Sequence, residues 1–372
     1  MTNFKIFLFS RDPGGANTII PLVAPLKSKG YKLYIYGKDF SLLRYSKFGL
    51  NGKDIKVEIA NINVNSVELF LRKIRPDIII TGTSANDFTE KYIWQAAKNL
   101  GIYSIAILDH WINYGVRFSK YAVSDLDKYI KNKRHVYLPS KIAVMDEYAK
   151  LEMIKEGINK SLIFVSGQPF FEFLNIQQKE YLESKDNLVV AKDKDDFVIS
   201  YISEAISQTY PNNYWGYTEK TIFDEFLYAL DRVISNFDKK ITLIIKIHPR
   251  EIEAFYLKKI NSYRGKGINF IIDKQLNSWE LICKTDIVCG MISMFLIEAS
   301  ILKKPVISMQ IGLKRKNNFV LDRMGIVDTI LDRESLLTKL NDVIINKKFP
   351  QSYFSVISNP IEKIINHIED VL

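Results

Sequence analysis

Cysteine, histidine and long apolar runs are all scarce in this sequence, and each shortage removes a class of function. The chain has 2 cysteines, Cys283 and Cys289, among 372 residues. Two cannot build a disulfide framework in a chain of this size, so stability must come from hydrophobic cores. With 4 histidines in no clustered spacing, a structural zinc site is not expected. No stretch reaches the roughly 18 to 20 apolar residues that a membrane span needs. Met1 to Ser10 reads as a short alternating strand with no small-residue cleavage site after it, not as a signal peptide. The expected address is cytoplasmic.

What is present in excess is positive charge. Lys and Arg number 52 against 42 Asp and Glu, a formal net charge of +10. One reading is a lysine-rich composition scattered over solvated faces. A second is attraction to phosphorylated small molecules or to an anionic membrane surface, which would place the protein peripherally at the inner face of the plasma membrane. Nucleic acid ranks last as a partner. The cations are interleaved with acids, as in Lys192-Asp193-Lys194-Asp195-Asp196, and no arginine-rich arm or nucleic-acid motif occurs.

At this length the chain suits two α/β domains. Short apolar runs alternate with helical patterns, the mark of βαβ units. In the first half the expected strands are Phe4 to Ser10, Tyr31 to Gly37, Asp77 to Thr81, Ile102 to Leu108, Ile142 to Met145 and Leu162 to Val165. A helix is expected from about Thr18 to Lys29. In the second half they are Phe197 to Ser203, Ile241 to Ile247, Ile268 to Ile272, Asp286 to Cys289 and Pro305 to Ser308. Runs this apolar suit parallel strands covered on both faces. The expected division is 1–175, a polar linker at 176–196, a second domain at 197–358 and a closing helix at 359–372. Ligands in such sheets bind beyond the carboxyl ends of the strands.

Two strand ends in the second half carry the clearest chemistry. The strand Ile241 to Ile247 runs into His248-Pro249-Arg250, where His248, Arg250 and Lys246 can meet a phosphate with charge-assisted hydrogen bonds. Pro249 ends the strand. The strand Asp286 to Cys289 runs into Gly290-Met291-Ile292-Ser293. There Ser293, near a helix N-cap, aims free amides and the helix dipole outward at an anion. Glu298, further along that helix, can accept hydrogen bonds from ribose hydroxyls. Ser203, at the end of the first strand of this half, is placed to line the same site.

Gly-x-Ser-x4-Glu-Ala followed by Lys304-Pro305-Val306-Ile307 resembles the donor segment of GT-B fold glycosyltransferases. The resemblance implies an α/β, GT-B-like fold of two Rossmann-like parallel-sheet domains facing a central cleft. It also implies donor phosphates at Ser293 and Met294, and a donor ribose at Glu298. The His-Pro pair resembles that of bacterial sialyl- and polysialyltransferases and is similar to that of CDP-glycerol transferases, which implies a nucleotide-phosphate contact at His248 and Pro249. The first half then supplies the acceptor side. Asp12-Pro13-Gly14-Gly15-Ala16-Asn17 lets backbone approach a ligand closely or is a plain turn. It is neither a Gly-x-Gly-x-x-Gly fingerprint nor a P-loop.

Asp109-His110-Trp111 ends the strand Ile102 to Leu108. Asp109 is the first choice for the base of an inverting transfer and His110 the second. Trp111 could stack on a sugar ring and Arg117 could meet an acidic group of the acceptor. The expected function is a metal-independent glycosyltransferase of polysaccharide biosynthesis. It would need no cofactor, use a nucleotide-sugar donor with a CMP-linked acidic sugar as first guess, and act on a surface-glycan or lipid-linked acceptor. The alternatives are a nucleotide-sugar 2-epimerase of the same fold and a non-catalytic nucleotide- or glycan-binding protein. Such epimerases carry an Arg-Pro-Glu turn after the first strand. Here Arg11-Asp12-Pro13 is followed by no glutamate, which argues against that activity.

Overall fold

The computed structural model describes residues 4–184, 196–210, 212–235, 240–263, 267–274, 276–349 and 353–372. They form two compact units, Met1–Phe173 with Val356–Leu372, and Leu174–Ser355. The first unit holds β1 (Lys5–Ser10), β2 (Lys32–Gly37), β3 (Lys53–Asp54), β4 (Ile78–Thr81), β5 (Tyr103–Ile107), β6 (Lys141–Val144) and β7 (Ile163–Val165). The second holds β8 (Phe197–Ile202), β9 (Ile241–Lys246), β10 (Ile268–Asp273), β11 (Ile287–Gly290), β12 (Val306–Met309) and β13 (Thr329–Ile330). The sheet orders are β3-β2-β1-β4-β5-β6-β7 and β10-β9-β8-β11-β12-β13, and every strand pair is parallel. These are two Rossmann-like α/β domains.

The cause lies in the apolar runs. Ile78, Ile79 and Ile80 of β4 are all buried, as are Ile6, Phe7, Leu8 and Phe9 of β1, so both faces of the sheet must be covered. Parallel neighbours cannot be joined by hairpins, and the intervening helices supply the cover. On one face Ala16, Ile19, Leu22, Val23 and Leu26 of the helix Pro13–Ser28 pack with Ile6, Leu8, Ile78 and Ile80. On the other, Val67, Phe70, Leu71, Ile93 and Ala97 pack with Phe7, Phe9 and Ile79.

In both sheets the strand order reverses once, between β1 and β4 and between β8 and β11. Ligands of open α/β sheets bind at such switch points, beyond the strands' carboxyl ends.

Two sequence expectations are corrected, the start of the first helix and the extent of the polar stretch. The first helix begins at Pro13 rather than near Thr18, so Gly14 and Gly15 lie in its first turn. Pro at the first helical position suits this start, because its missing N–H would have no partner there. The helix Pro169–Glu183 runs into the stretch read as a linker, and residues 185–195 of that stretch lie outside the described residues. The helix Pro360–Glu369 packs Ile364, Ile365 and Ile368 into the core of the first unit. No helix among the described residues is long and apolar enough to cross a membrane.

Candidate functional site

At the switch point of the first unit, the segments after β1 and β4 touch through glycine. A Cβ on Gly82 would lie 2.6 Å from the Cα of Gly15. Around this contact gather side chains from four strand ends. Arg11, after β1, pairs with Asp12 at 2.6 Å and with Asp39, after β2, at 3.3 Å. Lys38 pairs with Asp87 at 2.6 Å. Asp109, after β5, accepts from Arg117 at 2.9 Å and from the Thr83 hydroxyl at 3.2 Å. Asp109 also reaches over the start of the first helix: a Cβ on Gly14 would meet its Oδ2 at 2.0 Å.

Glu90, the second residue of the helix Thr89–Leu100, closes the cluster and is 1% exposed. Its Oε1 accepts from the Arg11 amide at 3.0 Å, while Oε2 is enclosed with no hydrogen-bond partner. Burial, then the charges of Asp12 and Asp87, push its carboxyl up to about 8. Glu90 therefore holds a proton at neutral pH and can release it. The sequence reading missed this residue. The glutamate it sought after Arg11-Asp12-Pro13 is absent, but Glu90 brings a carboxyl group to the Arg11 amide from another element.

The other expected residues of this unit divide. Asp109 sits in the cluster as an ion-paired carboxylate. His110 is a weak base, because burial and the Arg117 charge push its ring down to about 3. Trp111 does not offer a face to a sugar: it is 1% exposed, stacks on Phe171 at 5.9 Å and donates to Asp146 at 2.8 Å. Arg117 is likewise committed within the protein, to Asp109 and to the Thr83 carbonyl at 3.0 Å. Asn17 accepts from Arg44 at 2.7 Å.

In the second unit the loop after β9 is fixed by Glu251, a residue outside the expected set although it directly follows His248-Pro249-Arg250. Its carboxylate accepts from the His248 amide at 2.9 Å and from Ser203 at 2.8 Å, and Tyr256 donates to it as well. Ser203 lies 2.5 Å from the Tyr256 hydroxyl. The Nδ1 of His248 accepts from the Arg250 amide at 3.2 Å, which leaves Nε2 as the ring's donor. Burial and Arg250 push this histidine down to about 4, so it is a neutral donor near pH 7.

Lys246 is corrected as a free phosphate contact: its ammonium is held by Asp273 at 2.6 Å and the Leu276 carbonyl at 2.9 Å. Arg250 is exposed and donates to Thr209 at 2.9 Å. Ser293 caps the helix Met294–Ile301 by accepting from the Phe295 amide at 3.2 Å, and Glu298 is 6% exposed on that helix.

No protein-family model and no curated protein matches this sequence. Solved structures do. The Methanocaldococcus jannaschii UDP-GlcNAc 2-epimerase superposes with a TM-score of 0.69 at 18% identity, over 99% of this chain and 100% of that one. The Neisseria meningitidis UDP-GlcNAc 2-epimerase bound to UDP-GlcNAc gives 0.69 at 14%, over 99% and 100%. Acinetobacter baumannii MurG gives 0.58 at 7%, over 99% of each chain.

At these identities the likeness is one of fold. It nonetheless overturns the expected glycosyltransferase activity, which stood on short motifs. Both of those with a TM-score of 0.69 over nearly the whole chain are UDP-GlcNAc 2-epimerases, whereas MurG gives 0.58. The finer resemblance to sialyltransferases and CDP-glycerol transferases finds no support in them.

Proposed function

We propose that the protein is a nucleotide-sugar epimerase that inverts C2 of a UDP-linked N-acetylhexosamine. The observation that carries this reading is Glu90, an enclosed carboxyl group at the first unit's switch point that exchanges its proton near neutral pH. Inversion at a carbon that bears hydrogen requires a proton to be taken from one face and one returned to the other. A group with a proton affinity matched to the working pH does this best. Asp12 and Asp109, with the cations Arg11 and Arg117 beside them, frame that carboxyl group and orient the sugar. His110, with its low proton affinity, is no proton carrier in this reading.

The second unit holds the nucleotide. His248 donates through Nε2 to a phosphate oxygen, the start of the helix Met294–Ile301 at Ser293 and Met294 faces the diphosphate, and Glu298 accepts from the ribose. Arg250 and Pro249 shape the rim of the loop, and Ser203 fixes it through Glu251. The substrate in the N. meningitidis complex, UDP-GlcNAc, supports the choice of ligand. No acceptor and no metal are needed.

Incubation with UDP-GlcNAc in D2O, followed by proton NMR, tests this. The C2 epimer should accumulate with deuterium at C2, and Glu90→Gln should slow it by about 10²- to 10⁴-fold. Absence of both epimer and deuterium with the wild-type protein would refute the activity.

A further inference from the structure

The loop after β11 was expected to offer free amides to a phosphate, yet a carboxylate of the protein already sits on it. Glu204 directly follows Ser203 beyond β8, and its Oε2 accepts from the Ile292 amide at 2.7 Å. β8 and β11 are the neighbours at which the strand order reverses. The carboxylate therefore takes the position that an anionic ligand takes in such folds, on amides beside a helix start.

Titratable groups that act on or feel Glu204 among the described residues include Tyr201 of β8, Tyr217 before the helix Glu219–Ile234, and Glu251 from the loop after β9. None of these three is a cation. Burial pushes Glu204 up to about 7, opposed by the Ile292 amide and reinforced by the charge of Glu251. A phosphate placed on the same loop adds negative charge and favours the neutral acid further.

We propose that Glu204 is the loop's own anion in the empty protein and enters the nucleotide-sugar complex as the protonated acid, so that binding takes up a proton. The protonated group keeps an acceptor for the Ile292 amide and gains an O–H donor. This inference rests on the nucleotide-sugar reading and adds to it how a carboxyl group already on the loop accommodates the charge of the phosphate.

The test is titration calorimetry of the full chain with UDP-GlcNAc in two buffers of different ionisation heat, from about pH 6 to 8. The diphosphate of UDP-GlcNAc is doubly esterified and does not itself titrate there. The expected result is uptake approaching one proton per ligand at about pH 8 and fading toward pH 6. Kd should rise up to about tenfold per unit above the free-state titration of Glu204. Glu90, which also titrates in this range, is removed by working in Glu90→Gln. There the uptake should persist, and in the double variant Glu90→Gln/Glu204→Gln it should vanish and Kd should become flat with pH. The proton count of Glu90→Gln decides the matter even if the double variant does not fold. Binding to Glu90→Gln without proton uptake, or uptake that persists in the folded double variant, overturns the proposal alone. If UDP-GlcNAc binds neither protein, the nucleotide-sugar reading falls and takes this proposal with it.

Discussion

Glu90 carries a stability cost that the proposed chemistry explains. In the unfolded chain its carboxyl group titrates at about 4.3, whereas in the folded protein it titrates at about 8. Between those values the unfolded state has lost the proton and the folded state still binds it. Stability from this group is thus full below the unfolded value and is lost as pH rises toward the folded one. Glu90→Gln keeps the shape and removes the titration. Urea denaturation should therefore find the variant more stable than wild type at about pH 8, by about 4–5 kcal/mol, and equal to it near pH 4. A variant no more stable at the higher pH would mean that Glu90 is ionised in the folded protein. His110 acts in the opposite sense: its depressed ring withdraws stability as pH falls below its unfolded value of about 6.5.

At the scale of elements, the first sheet depends on two helix and strand ends meeting without side chains. Gly15 lies in the first turn of the helix Pro13–Ser28 and Gly82 directly follows β4. The obstacle to a Cβ at Gly82 is backbone, the Gly15 Cα at 2.6 Å, not the end of a flexible side chain. Gly82→Ala must therefore push β1 and β4 apart at the switch point. It should cost about 1–3 kcal/mol in denaturant unfolding and weaken the Asp109–Thr83 contact. An unchanged midpoint would show that the two segments yield easily.

The same region shows what could be read in advance. Eleven of the strands announced themselves as Ile- and Val-rich runs, because a strand buried on both faces admits little else. Two-residue β3 and β13 carry no such pattern. The Gly14-Gly15 pair reads as a turn in sequence, and only the Pro13 start shows it to be helical. Of the candidate site, the places of Asp109, His248 and Ser293 near strand ends were legible, because each lies two or three residues beyond an apolar strand run. Glu90 was not, since an acidic residue in a helix's first turn ordinarily serves the dipole in solvent. Nor could sequence show that Trp111, Arg117 and Lys246 spend their polar groups on Asp146, Asp109 and Asp273. Those partners are brought in by the fold.

At the scale of the whole molecule, the first unit is discontinuous in sequence. Residues 356–372 return to it after the second unit has been built, and they supply Ile364, Ile365 and Ile368 to the same cluster as Ile6, Leu8, Ile78 and Ile80. Each such side chain is worth about 1.5–3 kcal/mol of burial, so the three together rival the roughly 5–15 kcal/mol by which whole domains are stable. The tail is therefore a structural part of the first unit rather than a loose end. Ile368, fully buried, faces no group of the candidate site. Ile368→Ala should destabilise by about 2–5 kcal/mol through lost transfer energy and an unfilled cavity. Hydrogen exchange locates the loss: amides of β1, β4 and β5 should exchange faster, while those of β8, β9 and β11 keep their protection. Equal loss of protection in both sheets would mean that the two units unfold as one cooperative body, and loss in neither would mean that the helix Pro360–Glu369 adds nothing to the core it covers.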